Sequence, residues 1–273
     1  MNKDKKTETV TEQTATPVKP NKTVTAEQFA GANILELMAL NDELNSLNKG
    51  EVRFTVARLG NYEFDKTDKD GNKISRANMY DGTYQTKHTN TIRELFELFD
   101  NLLPNQAIGL GIANQIAGCI TTSAKVTDRE IARTKEYFYF VGKSYLLIDY
   151  DPSNEGIEVT SPEHLVELLR EIDPLLEQVE IGVRYGSSYG IYKDGVIISS
   201  KKSMHAYFVI DNASNELVKQ YKEYLIARAW FFGYGHIELS KVGSVMKRQF
   251  FDAAVFSPER LIFEAEPTLA EGI

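Results

Sequence analysis

Tyr145-Leu146-Leu147-Ile148-Asp149-Tyr150-Asp151-Pro152 is the stretch around which the rest of the chain organises. Four large apolar residues in a row predict a buried strand, and Pro152 marks its end. Along a strand, alternate side chains point the same way and lie about 6–7 Å apart. Asp149 and Asp151 therefore share a face at the C-terminal end of a buried strand, where open sheets commonly place their ligands. Two such carboxylates repel each other and are costly beside a core unless a cation lies between them. Hard oxygen donors of this kind suit Mg²⁺ or Mn²⁺. The plainer alternative is a strand that runs out into an acidic surface turn.

Downstream, the pattern alternates between strand and helix. Ser161-Pro162-Glu163-His164 predicts a helix start, with Ser as N-cap, Pro in the first turn and an acid beside it. Val179 to Tyr185 alternates as a strand. Lys193-Asp194-Gly195 is a hairpin turn between Gly190-Ile191-Tyr192 and Val196-Ile197-Ile198. Ala206 to Ile210 is a further strand, and Asn215 to Phe232 a long helix stopped by Gly233 and Gly235. Strands are expected around Ile237-Glu238-Leu239, from Phe250 to Phe256 and at Leu261-Ile262-Phe263. This order predicts an α+β fold with a split βαβ, ferredoxin-like (RRM-like) sheet and helices on one face.

Upstream, the signals are weaker. Residues 1–28 are rich in Thr, Lys, Glu and Pro and predict a disordered tail. Ile34, Leu35, Leu37, Met38, Leu40, Leu44 and Leu47 recur at helical spacing. Val52, Phe54 and Val56 alternate as a strand, and Asp65 to Gly71 is a charged turn. Thr91 to Leu103 predicts an amphipathic helix ended by Pro104. Ala107 to Ala113 is a short strand, and Asp128 to Phe140 a helix or a helix-to-strand passage. The expected organisation is a tail over 1–28, an N-terminal α/β module over about 29–140 and an RRM-like module over about 141–273.

The single cysteine, Cys119, excludes an internal disulfide framework and is read as buried filler in a cytoplasmic protein. No run approaches the roughly 18–20 apolar residues that a membrane span needs. The formal net charge is −8, yet Arg184 to Leu261 holds 11 Lys and Arg against 7 Asp and Glu. A basic segment beside a carboxylate cluster is what a site for a divalent ion and a polyphosphate requires.

Three further segments join the acidic pair. Ser187-Ser188 follows a strand, and Lys201-Lys202-Ser203-Met204-His205 enters the next one. Their hydroxyls, ammonium groups and imidazole are suited to gripping a triphosphate. Asp252, in Phe250-Phe251-Asp252-Ala253-Ala254-Val255, is a lone carboxylate in an apolar run and is expected to be paired or metal-bound. Arg248 is its alternative structural partner. Lys247-Arg248 and Ser257-Pro258-Glu259-Arg260 supply guanidinium groups for phosphate, although Glu259 and Arg260 equally suit a local ion pair.

Asp149-Tyr150-Asp151, Ser203-Met204-His205 and Phe251-Asp252 occur in the order of the three motifs of the archaeo-eukaryotic primase superfamily, which the chain resembles. The wider segments Ile131-Ala132-Arg133-Thr134, Ser187-Ser188-Tyr189-Gly190 and Arg248 to Leu261 resemble its branch of primase-polymerases from plasmids and other mobile elements. The resemblance covers roughly residues 129–267. It implies a primase-like catalytic core that performs template-directed nucleotidyl transfer on single-stranded DNA with NTPs or dNTPs, alongside a replicative helicase. It further implies that Asp149, Asp151 and Asp252 hold two Mg²⁺ or Mn²⁺ ions. Ser203 and His205 would contact nucleotide phosphates, and Lys201, Lys202 and Arg248 would neutralise charge, with Ser187, Ser188 and Arg260 nearby. Two alternatives stand beside it. One is a non-catalytic replication initiator on the same fold. The other is a haloacid-dehalogenase-type phosphatase, disfavoured because no adjacent acidic pair follows position 151.

Overall fold

The computed structural model describes residues 51–59, 65–67, 70, 73–75, 81–127, 130–152, 156–187, 189–199, 202–240 and 242–273. The expected tail and the helix over Ile34 to Leu47 lie outside them. Strand β1 (Val52–Leu59) is followed by the small hairpin β2 (Asp65–Thr67) and β3 (Lys73–Ser75), so the charged segment is more than a turn. Next come β4 (Asp81–Thr89), helix α1 (Ile92–Phe99), β5 (Gln106–Gly109), β6 (Ile112–Ala113) and β7 (Ala117–Thr121). The segment expected to be partly helical instead gives short strands β8 (Glu130–Ala132) and β9 (Phe138–Tyr139). Cys119 is exposed on β7, not buried: full burial on this strand is confined to its last two residues, Ile120 and Thr121.

The second half follows the predicted alternation closely. It contains β10 (Val141–Tyr150), α2 (Pro162–Ile172), β11 (Gly182–Tyr185), the hairpin β12 (Ile191–Lys193) and β13 (Val196–Ser199), and β14 (Met204–Ser214). Then come α3 (Asn215–Phe231), the ribbon β15 (Gly235–Leu239) and β16 (Val245–Gln249), and β17 (Leu261–Ile262). Asp194 and Gly195 both have positive φ (50° and 77°), the turn geometry that an Asp-Gly pair permits.

The helix starts have local causes. Ser161 accepts from the His164 N–H at 3.2 Å, and Pro162 occupies the first turn, where its missing N–H costs nothing. Ser214 caps α3 through the Leu217 N–H at 3.1 Å. Thr91 caps α1, and Glu94 reaches back to the Asn90 N–H at 2.7 Å.

Two sheets result. The first has the order β17-β5-β1-β4-β7-β8. The second has the order β10-β14-β11 with both pairings antiparallel, so its first and third strands lie side by side with the second outside. The fold is α+β. Strand β15 pairs with β16 rather than extending the second sheet, and β17 returns to the first sheet beside β5. One core joins the halves: Phe54, Leu95 and Phe99 from the first lie in a single buried cluster with Tyr145, Leu147 and Tyr207 from the second. No helix of the described residues is long and apolar enough to cross a membrane.

Candidate active site

The register of the second sheet places Asp149 opposite His205, and His205 opposite Arg184. Because side chains alternate along a strand, Asp149 shares a face with Leu147 and Tyr145, and His205 with Tyr207. Ala206 and Phe208 turn to the other face, where the Phe208 ring meets Tyr221 of α3 with centroids 6.3 Å apart. The acid and imidazole therefore sit on the face away from α3. That face is not open: α1 covers part of it, and Tyr207 packs against Phe96 and Phe99 at 6.0 and 5.3 Å. The close approach needs Gly182, since a Cβ there would stand 2.3 Å from Ile92 Cγ2.

A residue that sequence reasoning passed over organises this face. Glu264, just after β17, is only 4% exposed. Its Oε1 accepts from the Tyr207 hydroxyl at 2.5 Å and is in short contact with His205 Nδ1. Its Oε2 lies 3.3 Å from Arg184 Nε. On the other side, His205 Nε2 is 3.4 Å from Asp149 Oδ1. Arg184 continues the chain of charges to Asp100 at 3.1 Å, at the end of α1, and lies over the rings of Phe96 and Phe99. Burial by itself would lower the His205 pKa, but the Glu264 charge and the contacts to Asp149 and Glu264 outweigh it. The imidazole is pushed up to about 10. Burial, reinforced by Glu264, raises the Tyr207 phenol well above its ordinary range.

Asp252 reaches the same strand end by another route. Its backbone N–H donates to the Asp149 carbonyl at 2.8 Å. The expected strand over Phe250 to Phe256 is absent. Strand β16 ends at Gln249, and Ala253–Phe256 form a 3-10 turn that Asp252 caps by accepting from the Ala254 N–H at 2.9 Å. The apolar run is buried at its two ends, Phe250-Phe251 and Val255-Phe256, rather than by alternation, and Ala254 between them is exposed. Asp151 lies just past β10 and is exposed. Asp151 and Asp252 line a groove of about 950 Å³, whose walls include Ile226 and Trp230 of α3 and Lys247 and Arg248 of the ribbon.

The remaining expected residues are more scattered. Arg248 joins Asp151 and Asp252 along the groove, and its Nε donates to Glu238 at 2.8 Å across the ribbon, not to Asp252. Lys202 is exposed and donates to the Thr160 carbonyl at 3.1 Å, beside the start of α2. Ser203 is buried against Gly186, where a Cβ would come within 2.4 Å of its hydroxyl. Ser187 lies in the turn after β11, and Arg260 is exposed just before β17. Ser188 and Lys201 lie outside the described residues.

Oxygen donors at one strand end suit a hard divalent cation in kind. Among the described residues, however, no three His, Cys, Asp or Glu side chains stand together as a ready metal site. Asp149 is turned toward His205, and Asp252 toward its own 3-10 turn. Comparison with protein-family models, with curated proteins and with solved structures finds no match.

Glu264 did leave a signal in the sequence. Leu261-Ile262-Phe263-Glu264-Ala265 is a lone carboxylate in an apolar run, the same pattern that singled out Asp252.

Proposed function

We propose that the chain is a template-directed nucleotidyltransferase, a primase or primase-polymerase that builds primers or DNA on single-stranded DNA during replication of a plasmid or other mobile element. One observation carries this reading. Strand register sets the Asp149 and His205 side chains together at the end of β10, and a backbone hydrogen bond joins Asp252 to Asp149 there, with the Asp252 side chain lining the adjacent groove. The first–third–second strand order of β10, β14 and β11 supports the RRM-like half of a primase-like core.

Asp149, Asp151 and Asp252 would hold divalent ions, Mg²⁺ or Mn²⁺, which activate an attacking 3′-hydroxyl and neutralise the leaving pyrophosphate. His205, held as a cation between two carboxylates, presents positive charge beside Asp149, where phosphate oxygens of an incoming NTP or dNTP would lie. Lys202, Lys247 and Arg248 are exposed and offer further charge to phosphate or to the backbone of a single-stranded template. Template binding carried by such contacts weakens steeply with salt.

A primer-synthesis assay on single-stranded DNA tests the reading, with ribo- and deoxynucleotides supplied separately and Mg²⁺ or Mn²⁺ added. Metal-dependent product that disappears in Asp149→Asn supports it; no product under any of these conditions sinks it. The engagement of Asp149 by His205 favours one second reading, a replication initiator that binds DNA without catalysis. Salt-sensitive binding of single-stranded DNA without incorporation would select that alternative.

A further inference from the structure

His205 is held at both ring nitrogens, and the two holds differ. Nε2 faces Asp149, whose side chain is one-fifth exposed at the strand end. Nδ1 faces Glu264, whose side chain is 2% exposed and is itself fixed by the Tyr207 hydroxyl and the Arg184 guanidinium. A carboxylate with three partners from three positions on one sheet face has little freedom to swing. Its grip is on the nitrogen that points away from Asp149, so it sets the ring plane without occupying the edge that faces the strand end.

We propose that Glu264 is the positioning residue of the site: by holding Nδ1 it aims His205 Nε2 at the place beside Asp149 where the phosphates of an incoming nucleotide would bind. This rests on the nucleotidyltransferase reading for what Nε2 meets, but the orientation itself is independent of it. Arg184 and Tyr207 act behind Glu264 by fixing its two oxygens. The chain segment that carries Glu264 is anchored by β17 to the first sheet, so the first sheet, through this one side chain, orients a residue of the second. Loss of reach, rather than loss of charge, should then be the damaging change.

Glu264→Asp keeps the charge but withdraws the carboxylate by one methylene, whereas Glu264→Gln keeps an acceptor at full reach. Single-turnover nucleotide incorporation is measured for both, alone and combined with His205→Ala. Glu264→Asp is expected to lower kcat/KM by about 10-fold or more, as expected when positioning of a reacting group is lost, with Glu264→Gln recovering most of it. In the His205→Ala background Glu264→Asp should add nothing, because both changes break one interaction. An equal loss in both backgrounds, or no loss in the first, overturns the proposal.

Imidazole ¹⁵N resonances of His205, read by NMR on the full chain, provide a readout that needs no activity. Glu264→Asp must shift the Nδ1 signal, and an unchanged signal overturns the positioning role. If the unaltered chain incorporates no nucleotide while the signal shifts as expected, the nucleotidyltransferase reading falls and the positioning contact stands.

Discussion

Asp252 donates its backbone N–H to the carbonyl of Asp149 at 2.8 Å, so two acids 103 positions apart are tied by a main-chain bond that neither side chain can break. Substitution of either side chain therefore leaves the joint between the segment after β16 and the end of β10 in place. For Asp252→Ala the expected structural cost is that of one lost cap on a short turn, about 1 kcal/mol. For Asp149→Asn, His205 retains Glu264, so the cost is also small. Both variants should fold, with melting curves close to that of the parent, and both should lose metal-dependent nucleotide incorporation. A large drop in melting temperature for either one would mark it as a structural salt-bridge partner instead.

Gly182→Ala should be more damaging than its size suggests. The added methyl would meet Ile92 Cγ2 at 2.3 Å and the Phe96 ring at 2.9 Å, in the contact between β11 and α1. Overpacking of this kind costs about 1–3 kcal/mol. Because Gly182 is two residues from Arg184 on the same strand, pushing β11 away also loosens Arg184 from Glu264. Urea denaturation should show the stability loss, and incorporation should fall with it. A control such as Gly195→Ala, at a hairpin tip with open space around the glycine, alters only a turn of positive φ.

How much of this was legible in the sequence follows the range of the interactions. The ends of α2 and α3 were readable because Ser161, Pro162 and Gly233 act within one turn of themselves. The hairpin at Asp194-Gly195 was readable for the same reason. That Ala206 and Phe208 turn to the face opposite His205 follows from alternation once β14 is recognised, whereas the pairing of His205 with Asp149 depends on the register of β10 against β14. The segment Phe250 to Phe256 was misread because a short apolar run has no alternation by which a strand can be told from a 3-10 turn. Glu264 and Arg184 were missed because nothing local pairs them: their contact depends on β17 crossing back to the first sheet. Cys119 was misplaced because a small thiol in an apolar run reads as core until the sheet's outer face is known.

The ion network also sets a pH dependence. His205 in the folded, metal-free protein is pushed up to about 10, above the value of about 6.5 for an unfolded histidine. A raised pKa means that the folded state binds the proton more tightly. Its contribution to stability is complete below pH 6.5 or so and is lost as the pH rises through about 10. Denaturation midpoints measured from pH 6 to 10.5 without metal should therefore fall progressively as the pH rises from about 6.5 toward 10. In Glu264→Gln the fall should be smaller and should be complete at lower pH, because the main charge that raises His205 has gone. Equal alkaline losses in the two proteins would place the titrating group elsewhere.

His205→Ala separates nucleotide from template. The imidazole stands beside Asp149 on the face away from α3, whereas Lys247 and Arg248 stand on the ribbon along the groove. A phosphate contact made equally in ground and transition states would appear as a raised nucleotide KM, and one that strengthens in the transition state as a lowered kcat. Charge-assisted hydrogen bonds to phosphate are worth about 1.5–3 kcal/mol, so the expected loss in kcat/KM is about 10- to 150-fold. Affinity for single-stranded DNA, measured by fluorescence anisotropy at fixed salt, should change by less than about twofold, because removing one cation from the sheet face leaves the ribbon cations in place. Glu264 keeps Tyr207 and Arg184 in this variant, so the fold survives and the kinetics can be read. If His205→Ala instead weakens DNA binding and leaves nucleotide kinetics intact, the imidazole belongs to the template path, and the phosphate assignment of its Nε2 is wrong.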